Sequence, residues 1–80
     1  MAEKSKFELA VIDAVTKVRI EKGYTQDDLA EILDVTRGFI GQVESPNFDS
    51  KYNLDHINRL ANAMNCSPRD FLPEKPIQEA

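Results

Sequence analysis

The sequence predicts an all-α bundle of five helices, and three observations lead to that prediction. No segment alternates apolar and polar residues for long enough to indicate a strand, whereas apolar residues recur at helical spacing along the chain. A residue that commonly caps helices precedes each of these segments. With 80 residues and a hydrophobic share of 41%, the chain has room for one small domain with a modest core.

The first helix is predicted to run from Lys6 to Lys22. Ser5 and Glu8 have the spacing of a capping box, in which each side chain accepts a hydrogen bond from the other residue's backbone. An apolar stripe with helical periodicity follows, and Gly23 supplies a residue suited to ending the helix.

Two short helices follow the first one. Thr25 and Asp28 form a second capping box at the start of a helix that ends near Asp34. The hydroxyl of Thr36 can accept an N–H group left free by the next helix, which we predict from Arg37 to Glu44. Both helices carry apolar residues on one edge, so each has a face that can be buried.

The second half of the chain contains a loop and two more predicted helices. Ser45-Pro46-Asn47 interrupts the helical pattern and opens a polar loop that extends through Tyr52. Asn53 then caps a fourth helix, whose apolar stripe reaches Met64. A fifth, short helix is predicted between Ser67 and Pro73, because a cap, a proline and an acid occupy favourable positions in its first turn.

We expect residues 6–73 to form a single domain between an N-terminal tail, residues 1–5, and a C-terminal tail, residues 74–80. Glu8 and Asp13 interrupt the apolar residues of the N-terminal segment, so neither a signal peptide nor a membrane span is predicted. A single cysteine excludes an internal disulfide, which fits a reducing compartment. The expectation is a cytoplasmic protein without a membrane partner.

The two short helices and their tight turn carry a recognisable motif. Its residues are Arg19-x-x-x-Gly23-Tyr24-Thr25-Gln26-x-x-Leu29-Ala30, followed by Val35-Thr36-x-x-x-Ile40-x-x-Val43-Glu44. This pattern resembles the Cro and phage-repressor (XRE-type) family of helix-turn-helix DNA-binding domains, and the resemblance covers about residues 11–72. It implies a five-helix repressor-like bundle and a sequence-specific transcriptional regulator that binds double-stranded DNA as a homodimer. At the turn, where the family usually has glycine, this chain has Asp34.

The resemblance also implies which residues face DNA, with the helix that starts at Arg37 in the major groove. Arg37 can pair with guanine O6 and N7, and Gln42 with adenine N6 and N7. Two glycines in this helix cost about 1 kcal/mol each relative to alanine, so close approach to DNA explains them, unless the surface there is unconstrained. The family positions that usually face DNA correspond to Thr36, Arg37, Gly38, Gly41 and Gln42.

Further family positions imply contacts outside that helix. Gln26 matches a position whose amide holds a phosphate, and Lys51 and Tyr52 precede the fourth helix, where the family also contacts the DNA backbone. The alternative is that these three are solvated polar residues with no specific role. Arg19 and Glu44 match a pair that joins the first helix to the end of the third, the alternative being two solvated charges.

Two groups of apolar residues remain to be explained. We expect the first group to brace the loop after the third helix, with a partner surface as the alternative; it consists of Phe39, Phe48 and Tyr52. The second group offers an apolar edge where dimers of the family often meet, and it consists of Phe71, Leu72 and Ile77.

No residue pattern predicts a metal site, a cofactor or an enzyme. One histidine and one cysteine lack the further groups that a zinc site or an activated nucleophile requires. We expect Cys66 to pack in the core and His56 to be solvated. Paired catalytic carboxylates and a phosphate-binding glycine-rich loop are also missing from the sequence.

The charge balance keeps a second function open. Ten basic residues face fourteen acidic ones, giving a net charge of -4, whereas DNA-binding domains are usually basic. The segment from Arg37 to Val43 contains no acid, so the charge of this segment is positive although that of the chain is negative. The alternative is a helix-turn-helix fold that serves as a protein-interaction module without binding DNA, which would have a protein partner.

Overall fold

The protein is described by a computed structural model that covers residues 3–80. These residues form four α-helices and one short 3-10 helix, here called the 3-10 turn, and no strand. The predicted N-terminal tail therefore lies partly outside the described residues. In chain order the elements are α1 (Lys6–Glu21), α2 (Gln26–Leu33), α3 (Arg37–Glu44), α4 (Leu54–Ala63) and the 3-10 turn (Pro68–Phe71).

The all-α prediction is confirmed, but the prediction of a fifth α-helix is wrong. Pro68 and Pro73 enclose a segment with room for a single turn, because Pro73 disfavours a helical conformation at Leu72, which is extended. The Leu72 amide donates to the Arg69 carbonyl over 3.1 Å, which is the tighter 3-10 pattern. The bundle is thus four helices closed by this turn.

The predicted capping boxes start α1 and α2. The Glu8 amide donates to Ser5 Oγ over 3.0 Å, and the Ser5 amide donates to Glu8 Oε1 over 2.8 Å. Thr25 and Asp28 make the same reciprocal pair over 3.0 and 2.8 Å. These contacts satisfy amides that the first turn of a helix cannot pair internally, so local sequence fixes where both helices begin.

The turn between α2 and α3 depends on Asp34. Its φ and ψ of 56° and 48° are left-handed, a conformation that aspartate adopts more readily than most residues. The Val35 amide then donates to the Ala30 carbonyl over 3.0 Å and closes the end of α2. Aspartate therefore serves where the family usually has glycine, and α3 is set across α2.

The core lies between the inward faces of all four helices and the 3-10 turn. Phe71 is completely buried, so the prediction that it forms part of an exposed apolar edge is wrong. The 3-10 turn packs between α1 and α4, which draws this ring inward and leaves Leu72 44% exposed. The largest fully buried side chains are Phe71, Leu29, Ile40, Leu60, Met64, Val15 and Val43.

His56 is not the solvated residue that the sequence suggested. Its Nδ1 accepts a hydrogen bond from the Asn53 amide over 3.1 Å and so completes a capping box at the start of α4. Its ring meets Phe39 and Tyr52 edge to face, with centroids 5.9 and 6.0 Å apart. Burial, with a smaller effect of Arg59, lowers the pKa of His56.

The predicted aromatic cluster therefore has a different membership. Phe39 and Tyr52 pack against the core around His56, whereas Phe48 is 49% exposed. Cys66 also packs against the core but is only partly buried. The first two aromatic residues brace the loop, and Phe48 stays at its surface.

Charged side chains from distant parts of the chain cap several helix ends. Lys22 Nζ donates to the Met64 carbonyl over 2.7 Å, and Arg59 Nη1 donates to the Leu33 carbonyl over 3.3 Å. At α1, the Glu79 carboxylate accepts from the amides of residues 6 and 7 over 2.8 and 3.1 Å. These charges complement the helix dipoles, so much of the basic charge serves the fold. No helix of residues 3–80 is long and apolar enough to cross a membrane.

Candidate nucleic-acid interface

Helix α3 has one buried face and one outward face. Ile40 and Val43 point inward and are completely buried. None of the five residues predicted to face DNA belongs to this buried pair. Four of them are exposed, and Gly41 is half-buried. These residues are Thr36, Arg37, Gly38, Gly41 and Gln42. We call them the reading face; the helical period brings the last four to the same side, and Thr36 precedes them as the extended capping residue.

The N-terminal end of the reading face is formed by Thr36 and Arg37. Thr36 Oγ1 accepts from the Phe39 amide over 3.0 Å, so this hydroxyl caps α3. Arg37 Nε lies 3.5 Å from Asp27 Oδ1, and the two side chains are 68% and 72% exposed. An ion pair with this much solvent around it stabilises little, so the guanidinium can exchange Asp27 for another acceptor.

At the other end of the reading face, the side chain of Gln42 is oriented by the loop that follows α3. Ser50 Oγ donates to Gln42 Oε1 over 3.1 Å. This contact uses one of the two lone pairs of the amide oxygen, and it leaves the other lone pair and both N–H donors free. The loop therefore determines which way the Gln42 amide points.

The two glycines of the reading face are not required by packing inside the protein. A Cβ atom on Gly41 would meet nothing within 4 Å. On Gly38 it would lie 3.8 Å from Thr36 Oγ1, which is an ordinary contact. Since alanine fits at both positions, packing within the chain does not explain the two glycines.

Behind the reading face, a partly buried polar network joins α1, α2 and α3. Arg19 donates through Nε and Nη2 to the two carboxylate oxygens of Glu44 over 2.8 and 3.0 Å, and the side chains are 14% and 10% exposed. Arg19 Nη1 also donates to the Tyr24 carbonyl over 3.0 Å. Gln26 Nε2 donates to Glu44 Oε1 over 2.9 Å. Gln26, expected on a phosphate, is thus held by Glu44 at the start of α2.

Lys51 and Tyr52 have different surroundings from those expected. Lys51 Nζ lies 2.8 Å from Glu8 Oε2, and this contact, with the Ser5 amide, lowers the pKa of Glu8. The Tyr52 hydroxyl is buried, has no hydrogen-bond partner among residues 3–80, and has its pKa raised by burial. A DNA backbone contact by Tyr52 does not fit this placement, because the hydroxyl does not reach the surface.

The comparisons with known proteins agree with this geometry. The family model described as helix-turn-helix matches residues 15–71, which is more than half of the chain. The chain belongs to the helix-turn-helix family. This membership makes it a DNA-binding regulator, with α2 and α3 as the helix pair and residues 34–36 as the turn.

A solved structure supports the same assignment. The restriction-modification controller protein C.AhdI from Aeromonas hydrophila is 28% identical to this helix-turn-helix protein, with a TM-score of 0.66. The alignment covers 80% of this chain and 96% of that one. No curated protein matches the sequence.

Sequence reasoning missed the acids that pair with the predicted DNA contacts. Asp27 comes from α2 and pairs with Arg37 of α3, while Glu8 comes from α1 and pairs with Lys51 of the loop. Each pair joins different elements, so no local spacing reveals it. A DNA acceptor at either cation, a base edge at Arg37 or a phosphate at Lys51, must therefore compete with a carboxylate.

Proposed function

We propose that this helix-turn-helix protein is a transcription regulator that binds specific double-stranded DNA sites as a homodimer in the cytoplasm. The observation that carries the proposal is the outward face of α3, which has Arg37, two glycines and Gln42 but no acid. The same helix is held rigidly by two completely buried residues on its inward face. The likeness to a controller protein supports a regulatory role.

The reading face supplies two side chains that can distinguish bases. Arg37 suits the two acceptors of guanine in the major groove, and Gln42 suits the donor and acceptor of adenine. Gly38 and Gly41 permit the helix backbone to approach the DNA closely, since neither carries a Cβ atom. This leaves few base contacts in each half-site, so dimer spacing and DNA shape must supply further specificity.

We assign the phosphate contacts to Gln26 and Lys51. Gln26 lies at the start of α2, where the helix dipole favours an anion, and its amide is already oriented by Glu44. Lys51 is exposed and would exchange its contact with Glu8 for a phosphate. These contacts position the protein on the duplex and carry little sequence information.

An exposed apolar groove supports the homodimer. It has a volume of about 120 Å³ and is lined by Phe7 and Val11 of α1 together with Leu54 and Leu72. Leu54 is 85% exposed and Leu72 is 44% exposed, which is unusual for two large apolar residues that line one groove. A second copy that covers this groove would remove both residues from water.

Selection from a random DNA library tests the proposal directly. We expect the purified protein to enrich one two-fold symmetric sequence. Arg37→Ala should then weaken binding to that sequence by about 1–3 kcal/mol and relax the preference at one base pair. Arg69→Ala is the matched control, because Arg69 is exposed on the 3-10 turn, which does not contact α3.

The opposite result would favour a protein-interaction module. The net charge of -4 and the pairing of Arg37 and Lys51 with acids are the observations on its side. If no sequence is enriched even at low salt, and a protein partner binds the surface around Phe39, that alternative replaces DNA recognition.

A further inference from the structure

The ammonium group of Lys4 lies at the C-terminal end of α3. Lys4 Nζ donates to the carbonyl oxygens of Val43 and Ser45, each over 2.6 Å, and to that of Gln42 over 3.2 Å. A lysine ammonium has three donors, and these three contacts use all of them. The acceptors are carbonyl groups at the helix end, where partners within the helix run out.

Helix α3 needs an external partner at this end. It is only eight residues long, contains two glycines that each disfavour a helix by about 1 kcal/mol, and has no basic residue in its last turn. Its capping residue, Ser45, is extended and makes one backbone bond, to the Gln42 carbonyl. The Lys4 ammonium supplies both the missing donors and a positive charge at the negative end of the helix dipole.

The same N-terminal segment also holds the far end of the loop. Glu8 pairs with Lys51 over 2.8 Å, so residues 4–8 hold the loop after α3 at its start and at its end. This loop contains Ser50, which orients the side chain of Gln42. Gln42 is therefore fixed through its carbonyl by Lys4 and through its amide by a loop that the N-terminal segment holds.

We propose that Lys4 is a positioning residue for DNA recognition, which fixes the end of α3 and the direction of Gln42 without touching DNA itself. The inference rests on the proposed function, because Gln42 must read a base for its direction to matter. Removing the ammonium lets the last turn of α3 fray, which disorders Gln42 while the rest of the bundle remains folded.

Lys22 provides a matched control for the contact of Lys4 with the end of α3. Its ammonium donates to the Met64 and Asn65 carbonyls over 2.7 and 3.4 Å and so caps the end of α4. Helix α4 carries none of the reading face, and it meets α3 through His56 and Phe39 near its first turn, at the opposite end from the carbonyls that Lys22 caps. The two lysines therefore perform the same chemistry on two helices, only one of which is placed against DNA.

The experiment compares Lys4→Met, Lys4→Arg and Lys22→Met in the full chain. The measurements are the dissociation constants for the selected sequence and for a random duplex over a range of salt, the melting temperature, and backbone amide exchange. For Lys4→Met we expect the ratio of specific to random affinity to fall about tenfold, as when one bidentate base contact is lost. Amides at the end of α3 should exchange faster, and Lys4→Arg should restore most of both properties.

Lys22→Met should lower the melting temperature by a similar amount and leave the affinity ratio unchanged. If Lys4→Met does not fold, Lys4→Gln takes its place, because it retains two donors without the charge. An unchanged affinity ratio would overturn the inference. A loss equal on both duplexes, with the salt slope reduced by about one, would also overturn it by showing that Lys4 contacts a phosphate. If the unmutated protein binds no DNA, the proposed function fails first, and the inference fails with it.

Discussion

Replacing Glu44 with glutamine is expected to lower the free energy of unfolding by about 3 kcal/mol. Glu44 accepts two hydrogen bonds from Arg19 and one from Gln26, and its side chain is only 10% exposed. A glutamine amide has one oxygen and one nitrogen, so one donor of Arg19 would face another donor. The guanidinium, which is 14% exposed, would keep one hydrogen bond to the glutamine oxygen and its contact with the Tyr24 carbonyl, but it would have no anionic partner.

The magnitude follows from the cost of leaving a buried charge without its partner. Breaking such a pair costs about 3–5 kcal/mol, and we take the lower end because both side chains retain some solvent contact and Arg19 keeps neutral acceptors. For a domain of this size, each 1 kcal/mol lowers the melting temperature by about 4–8 °C. We therefore expect a decrease of about 12–24 °C in Glu44→Gln.

Thermal and urea unfolding measure the loss of stability in Glu44→Gln, and two further variants serve as its controls. Asp13→Asn removes an acid whose partner Lys17 is 73% exposed, and it should cost at most about 0.5 kcal/mol. The double variant Arg19→Met, Glu44→Leu should recover most of the lost stability, since neither charge remains buried alone. A loss below about 1 kcal/mol in Glu44→Gln, close to that of Asp13→Asn, would refute the view that this pair is shielded from water.

Three more predictions follow from single contacts. Burial holds the pKa of His56 below 6.5, so the native state binds fewer protons than the unfolded state, and stability should fall as pH decreases from above 6.5 through the native pKa. Melting curves of His56→Gln should lose that dependence, and a persistent slope would implicate another group. Gly41→Ala should raise stability by about 0.5–1 kcal/mol, because its Cβ meets nothing, yet weaken binding to the selected DNA. Glu79→Ala should lower stability by about 0.5 kcal/mol by uncapping α1, whereas exposed Glu74→Ala should not, and equal urea midpoints would show that the Glu79 contact contributes nothing.

The sequence alone determined the helices and the motif, because both depend on residues close together in the chain. A capping box joins residues three positions apart, so Ser5 with Glu8 and Thr25 with Asp28 can be identified from their spacing. Helical periodicity also identified the inward face of α3 and, with it, the residues that face outward. The left-handed turn at Asp34 agrees with its residue type.

Only the tertiary structure decided what each outward or loop side chain meets. Periodicity places a residue on a face but does not show which distant element lies opposite, so the burial of Phe71 and of the Tyr52 hydroxyl was not predictable. The contacts of Lys4 with α3 and of Asp27 with Arg37 were not predictable for the same reason, since each joins different parts of the chain. The capping preferences at Ser67 were correct, but one turn between two prolines is too short for an α-helix. The chain thus encodes its helices locally, whereas the arrangement of charges around α3 arises only when those helices pack.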